Sequence, residues 1–92
     1  MTVRLGDPRG KGVANERAYP HIVEVAVPRW GLDVELNRRI IEFHKSRHIE
    51  PRHGRRIFRG EEIFFRWCFS DLATARAFIE HFGGTFYKTT ST

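Results

Sequence analysis

Residues 55–69, RRIFRGEEIFFRWCF, decide how this chain folds. From Ile63 onward the large apolar side chains of Ile63, Phe65, Trp67 and Phe69 alternate with Phe64, Arg66 and Cys68. A period of two is that of a strand, and the wholly apolar set predicts the face turned to a core. Gly60 stands where two such strands would fold back on each other, so the stretch reads as a hairpin. Its register stays open. A two-residue turn at Gly60-Glu61 pairs Ile57 with Phe64 and Arg55 with Arg66, whereas a three-residue turn pairs Phe58 with Phe64 and Arg56 with Arg66.

Working outward, Ser70 or Asp71 caps a helix that points Leu72, Ala75, Phe78, Ile79 and Phe82 inward, and Gly83 is placed for its left-handed C-cap. A last strand follows, over roughly Thr85–Thr89. Upstream, HIVEVAV (21–27) alternates Val23, Val25 and Val27 with Ile22, Glu24 and Ala26, again a strand, which Pro28 and Gly31 end. Asp33 then caps a helix with an apolar stripe of Leu36, Ile40 and Phe43, and Pro51 limits its continuation. RIIEFHK (39–45) and AFIEHFG (77–83) are a faint internal echo at the two helix ends. The order β-α-β-β-α-β predicts an α+β fold, a ferredoxin-like two-layer sandwich with an antiparallel sheet and both helices on one face.

Residues 1–20 differ in character. Gly6, Gly10, Gly12, Pro8 and Pro20 lie among charged residues without a sustained apolar period. They read as a flexible, mildly basic arm, leaving 21–90 as a single domain.

The 92 residues suit one small domain, and 40% hydrophobic with 29% charged residues excludes collagen-like, low-complexity and wholly disordered classes. No apolar run reaches the ~18–20 residues of a membrane span, and MTVRLGDPRG lacks the apolar stretch of a signal peptide. The single cysteine, Cys68, forms no internal disulfide and supplies no zinc-finger set. The expected compartment is therefore the cytoplasm, with no membrane partner. The net charge of +5 is concentrated in residues 38–66, where nine cations, eight of them Arg, face Glu42, Glu50, Glu61 and Glu62. Arginine suits phosphates and aromatic faces, although a solvated basic surface accounts for the same count.

With both helices on one side, the other side of the sheet is expected to be open. The candidate binding residues there are Phe64, Arg66, Arg55, Arg56, Phe58 and Glu24. Either register leaves two arginines opposite each other, an unfavourable pair that Glu24 or an outside anion would compensate.

FFRWCFSDLATARAFIEHFGG (64–84) is similar to the third strand and second helix of RNA recognition motif domains, in its aromatic strand, Ser-Asp turn and Ala-containing helix. On that resemblance Phe64 and Arg66 take the two outward positions where such domains carry aromatics. It implies weak single-stranded nucleic-acid binding, since IVEVAV offers no second stacking residue. The reading that needs fewest special residues is a small non-catalytic interaction module, associating with itself as a dimer or with another protein through that face.

Catalytic and cofactor signals are thin. His44 and His48 stand at i and i+4, the spacing of a metal chelate, with Glu50 and His53 nearby, but no complete ligand pattern accompanies them. The expectation is no metal and no cofactor. Cys68 beside Arg66 would be an activated nucleophile only if it faced the open side, and an inert thiol is the expected state. No P-loop, GxGxxG or GxSxG is present, so an enzyme is not expected.

Overall fold

A computed structural model of the chain describes residues 8–28 and 31–88. The elements run α1 (Pro8–Ala18), β1 (His21–Val27), α2 (Val34–Ser46), β2 (Ile57–Arg59), β3 (Glu62–Phe69), α3 (Leu72–Phe82) and β4 (Thr85–Lys88). They build a small α+β domain around a four-stranded sheet in the order β2-β3-β1-β4, with every neighbouring pair antiparallel. Of the expected arm, residues 1–7 lie outside the described residues, as do Thr89 and the expected domain end at residue 90.

The alternating strands lay their apolar sets on one side. Val23, Val25 and Val27 of β1 and Trp67 and Phe69 of β3 pack with Ile40 and Phe43 of α2 and Ala75 and Phe78 of α3. Helices α2 and α3 each start at an aspartate cap. Asp33 Oδ2 accepts from the Leu36 N–H, and Asp71 Oδ2 accepts from that of Thr74, both at 3.0 Å. Gly83 ends α3 at φ +85° while its N–H donates to Ile79 O at 2.7 Å.

Register follows the shorter turn. Ile57 lies opposite Phe64, Phe58 opposite Ile63 and Arg59 opposite Glu62, so Gly60 and Glu61 make the turn, with Gly60 at φ +60°. Beyond Ile57 the pairing slips by one residue. His53 bridges Trp67, the Gly54 N–H donates to Arg66 O, and the Cys68 N–H donates to Arg52 O, the last two at 2.8 Å. The slip makes a bulge at Arg55-Arg56, which sets Gly54 and not an arginine in line with Arg66.

The second face of the sheet is not open as expected. Residues 8–18, read as flexible arm, form α1 and lie against residues 53–55, adding a third layer to the expected two. The helix does so without an apolar stripe. Gly12, Asn15, Glu16 and Tyr19 recur at helical spacing on its inner side, and a Cβ at Gly12 would come within 3.0 Å of the Gly54 carbonyl carbon and the Arg55 nitrogen. Backbone-to-backbone contact and polar side chains hold this helix, so a search for periodic apolar residues passes over it. Among the described residues, no helix is long and apolar enough to cross a membrane.

Candidate functional site

Beneath α1 the sheet carries a chain of charges. Glu24 lies opposite Arg66 on neighbouring strands, which sets both on the face turned to α1. Both are almost fully enclosed, Arg66 at 3% and Glu24 at 6% exposure. The Arg66 guanidinium donates through Nε to Glu24 Oε2 at 2.8 Å and through Nη1 to Glu16 Oε2 at 3.0 Å. Glu24 also accepts from Arg59 Nη1 and Nη2, at 2.9 and 3.1 Å. Glu16 accepts from the Arg55 backbone N–H at 2.7 Å and from its Nη2 and Nε at 2.8 and 3.2 Å. The Tyr87 ring of β4 covers the Arg66 guanidinium, with Cζ 3.6 Å from the ring centroid.

The order Arg55–Glu16–Arg66–Glu24–Arg59 alternates sign at every step and leaves three cations against two anions. Burial pushes the carboxyl pKa of Glu16 up, but hydrogen bonds from Arg55 and Arg66 outweigh it and hold the group below its ordinary value. Glu24 behaves alike, with burial opposed by hydrogen bonds from Arg59 and Arg66. Burial lowers the pKa of Arg66, and its bonds to Glu16 and Glu24 more than restore it. All five groups therefore stay charged at neutral pH.

The structure thus splits the residues read as one binding face. Phe64, Arg66, Glu24 and Arg55 do gather on the α1 side, with Arg66 and Glu24 consumed in ion pairs. Phe58 does not join them. Its place opposite Ile63 puts it on the side of α2 and α3, where it is 65% exposed on the edge strand. Arg56 also departs, lying over the Phe65 ring at 5.4 Å. Phe64 is half-buried under the Arg59 guanidinium, 4.7 Å from its ring centroid. Glu16, Arg59 and Tyr87 are the members that sequence reasoning missed. The need for carboxylates beside Arg66 was a usable signal, as was the polar stripe at Gly12, Asn15, Glu16 and Tyr19.

The histidine pair is also divided. His44 is buried in the core, stacked on Phe69 at 5.6 Å between ring centroids, with Nδ1 2.9 Å from Ile40 O. Burial holds its pKa below the ordinary value. His48 is exposed beyond the end of α2 at φ +58°. The i, i+4 spacing makes no chelate, because α2 has ended before its second member. Among the described residues, no group of three or more His, Cys, Asp or Glu is placed to hold a metal ion.

Cys68 faces α1 and not solvent. It is 2% exposed, and burial pushes its thiol up to about 12, the opposite of an activated nucleophile. It reaches the floor of a cleft of about 320 Å³ lined also by Tyr19, Glu50, Arg52, Asp71 and Thr74. Asp71 there is held low by its hydrogen bonds from the Thr74 backbone and side chain, which commit it to capping α3.

Neither a family model, a curated protein nor a solved structure gives a match to this chain.

Proposed function

We propose that this chain is a small non-catalytic interaction module that associates with itself through the β2–β3 hairpin and the part of the sheet face that α1 leaves uncovered. The observation that carries the reading is Phe58, a large aromatic side chain 65% exposed on the edge strand of the sheet. On the opposite, α1 side of the same hairpin lie half-buried Ile57 and Phe64, with exposed Ala26 beside them on β1. The hairpin thus carries apolar side chains on both faces of the sheet edge, rimmed by Arg55, Arg56 and Arg59, the apolar centre and polar rim of a protein contact. The strand order and the two helices on one side further support a ferredoxin-like β1–α2–β2–β3–α3–β4 unit, to which α1 is an addition.

Single-stranded nucleic acid is the competing partner, and two observations weigh against it. Arg66 is already bonded to two carboxylates, and the Phe64 ring lies under Arg59, so the face lacks the free aromatic platform that base stacking requires. Sedimentation across a wide concentration range tests the proposal. The wild type is expected to self-associate, and Phe58→Asp/Phe64→Asp to be a monomer with an unchanged circular dichroism spectrum. A wild type that remains monomeric, yet binds labelled mixed-sequence RNA at physiological salt and loses that binding in Phe64→Ala, would give the function to nucleic acid instead.

A further inference from the structure

The edge strand β2 points to one way for two copies to meet. A two-residue turn at Gly60-Glu61 makes Arg59 and Glu62 the closing hydrogen-bonded pair of the hairpin, so Phe58, opposite Ile63, turns its own N–H and C=O outward. With β2 at the end of the strand order, that backbone is a template for another strand.

We infer that two copies of this chain pair antiparallel along β2, about a two-fold axis at Phe58, to form one continuous eight-stranded sheet. This rests on the self-association reading above and specifies its surface. A two-fold axis normal to the sheet keeps each residue on its own side, so residues of like parity must face each other. Three registers then centre on β2. An axis at Ile57 runs the pairing into the bulge at Arg55-Arg56, and an axis at Arg59 runs it into the Gly60-Glu61 turn and sets that arginine opposite itself. Either shortens the ladder, and the second also sets like charges in direct opposition, which is destabilising.

The axis at Phe58 avoids both. Phe58 meets its own copy as an aromatic cross-strand pair and Arg59 meets Ile57, so all three residues of β2 are paired. Beyond the paired residues, the hairpin tip of one copy, with exposed Glu61, comes to the strand end where the other copy carries Arg55. That juxtaposition supplies what the monomer lacks. The network under α1 holds three arginines against two carboxylates, and Glu61 from the second copy brings a third acid to its open end at Arg55, whose side chain is 43% exposed. The length of β2 thus selects the register, and the charges at its two ends suit a second copy.

Three variants examined by sedimentation and by cysteine cross-linking test it. Phe58→Pro removes the outward N–H, which serves no bond within the monomer, and is expected to abolish dimerisation while circular dichroism shows the fold retained. Glu61→Arg is expected to weaken the dimer at low salt by opposing Arg55. Phe58→Cys is expected to cross-link to a homodimer at least about tenfold faster than Val34→Cys, an 83% exposed position on α2, because self-opposed residues lie within disulfide reach. A dimer that survives Phe58→Pro but is lost in Phe64→Asp would overturn the edge pairing and leave self-association standing. Equal cross-linking of Phe58→Cys and Val34→Cys would overturn it as well. A wild type that is monomeric throughout would sink both.

Discussion

Replacing Glu16 by glutamine changes almost no volume, yet the structure predicts a large effect. Each carboxylate oxygen of Glu16 accepts two hydrogen bonds, Oε1 from Arg55 Nε and Nη2, and Oε2 from the Arg55 backbone N–H and Arg66 Nη1. Glutamine has one acceptor oxygen, so its NH2 group must face two donors whichever way it is turned. Arg66, 3% exposed, would also lose one of its two counter-charges. Removing a partner from a buried pair costs about 3–5 kcal/mol when the remaining charge is orphaned, and Arg66 keeps Glu24, so about 2–3 kcal/mol is the expected loss. The exposed Arg55 arm adds little, since such pairs are worth ~0–1 kcal/mol. For a domain of this size that loss lowers the melting temperature by roughly 10–20 °C. Urea unfolding followed by tryptophan fluorescence measures it, with Glu16→Ala as companion. The two variants should be similarly destabilised. A Glu16→Gln protein within about 0.5 kcal/mol of wild type would refute the view that charge, and not shape, fastens α1.

Acid should act on this protein in two steps. His44 has a folded pKa below its ordinary 6.5, so its contribution is complete above that value and declines as pH falls from 6.5 towards the folded pKa. Glu16 and Glu24 are depressed below 4.5, so theirs is complete above 4.5 and is lost as pH falls through their folded values. Melting curves between pH 8 and 3 should show both declines, and His44→Phe should reduce the upper one while leaving the lower. Gly84→Ala should cost roughly 2–3 kcal/mol, because its Cβ would come within 2.7 Å of Glu24 O at φ +101°. Gly60→Ala, at φ +60° with open space around it, should cost about 1 kcal/mol, and thermal denaturation separates the two. Native Cys68 should be alkylated far more slowly than in urea at pH 7, and Glu16→Ala should speed the native reaction if loosening α1 uncovers the thiol.

Local chemistry made the strands and two of the helices readable. Alternation over 21–27 and 63–69 fixed which side each residue takes, and Asp33, Asp71 and Gly83 mark helix ends by the bonds they make. What escaped was long-range and polar. Glu16 reaches Arg55 and Arg66 across 39 and 50 residues, a distance over which no periodicity carries information. Helix α1 buries glycine and charge where periodic apolar residues would announce a helix. The bulge at Arg55-Arg56 shifted two candidate site residues because register is a property of the pair of strands, not of either alone. The place of His44 escaped for a related reason. Spacing pairs it with His48, whereas its ring is stacked on Phe69 in the core, a contact between elements that no local pattern announces.

The alternating chain of charges also makes distant ends of the molecule answer to each other. Glu24 is shared, with Oε2 accepting from both Arg66 and Arg59. If α1 lifts and takes Glu16 away, Arg66 has only Glu24 left, and the hold of Glu24 on Arg59 weakens. Arg59 lies on the edge strand and shields the Phe64 ring. Loss of Glu16 from its place would thereby be felt at the hairpin some forty residues later, through the division of one carboxylate between two arginines.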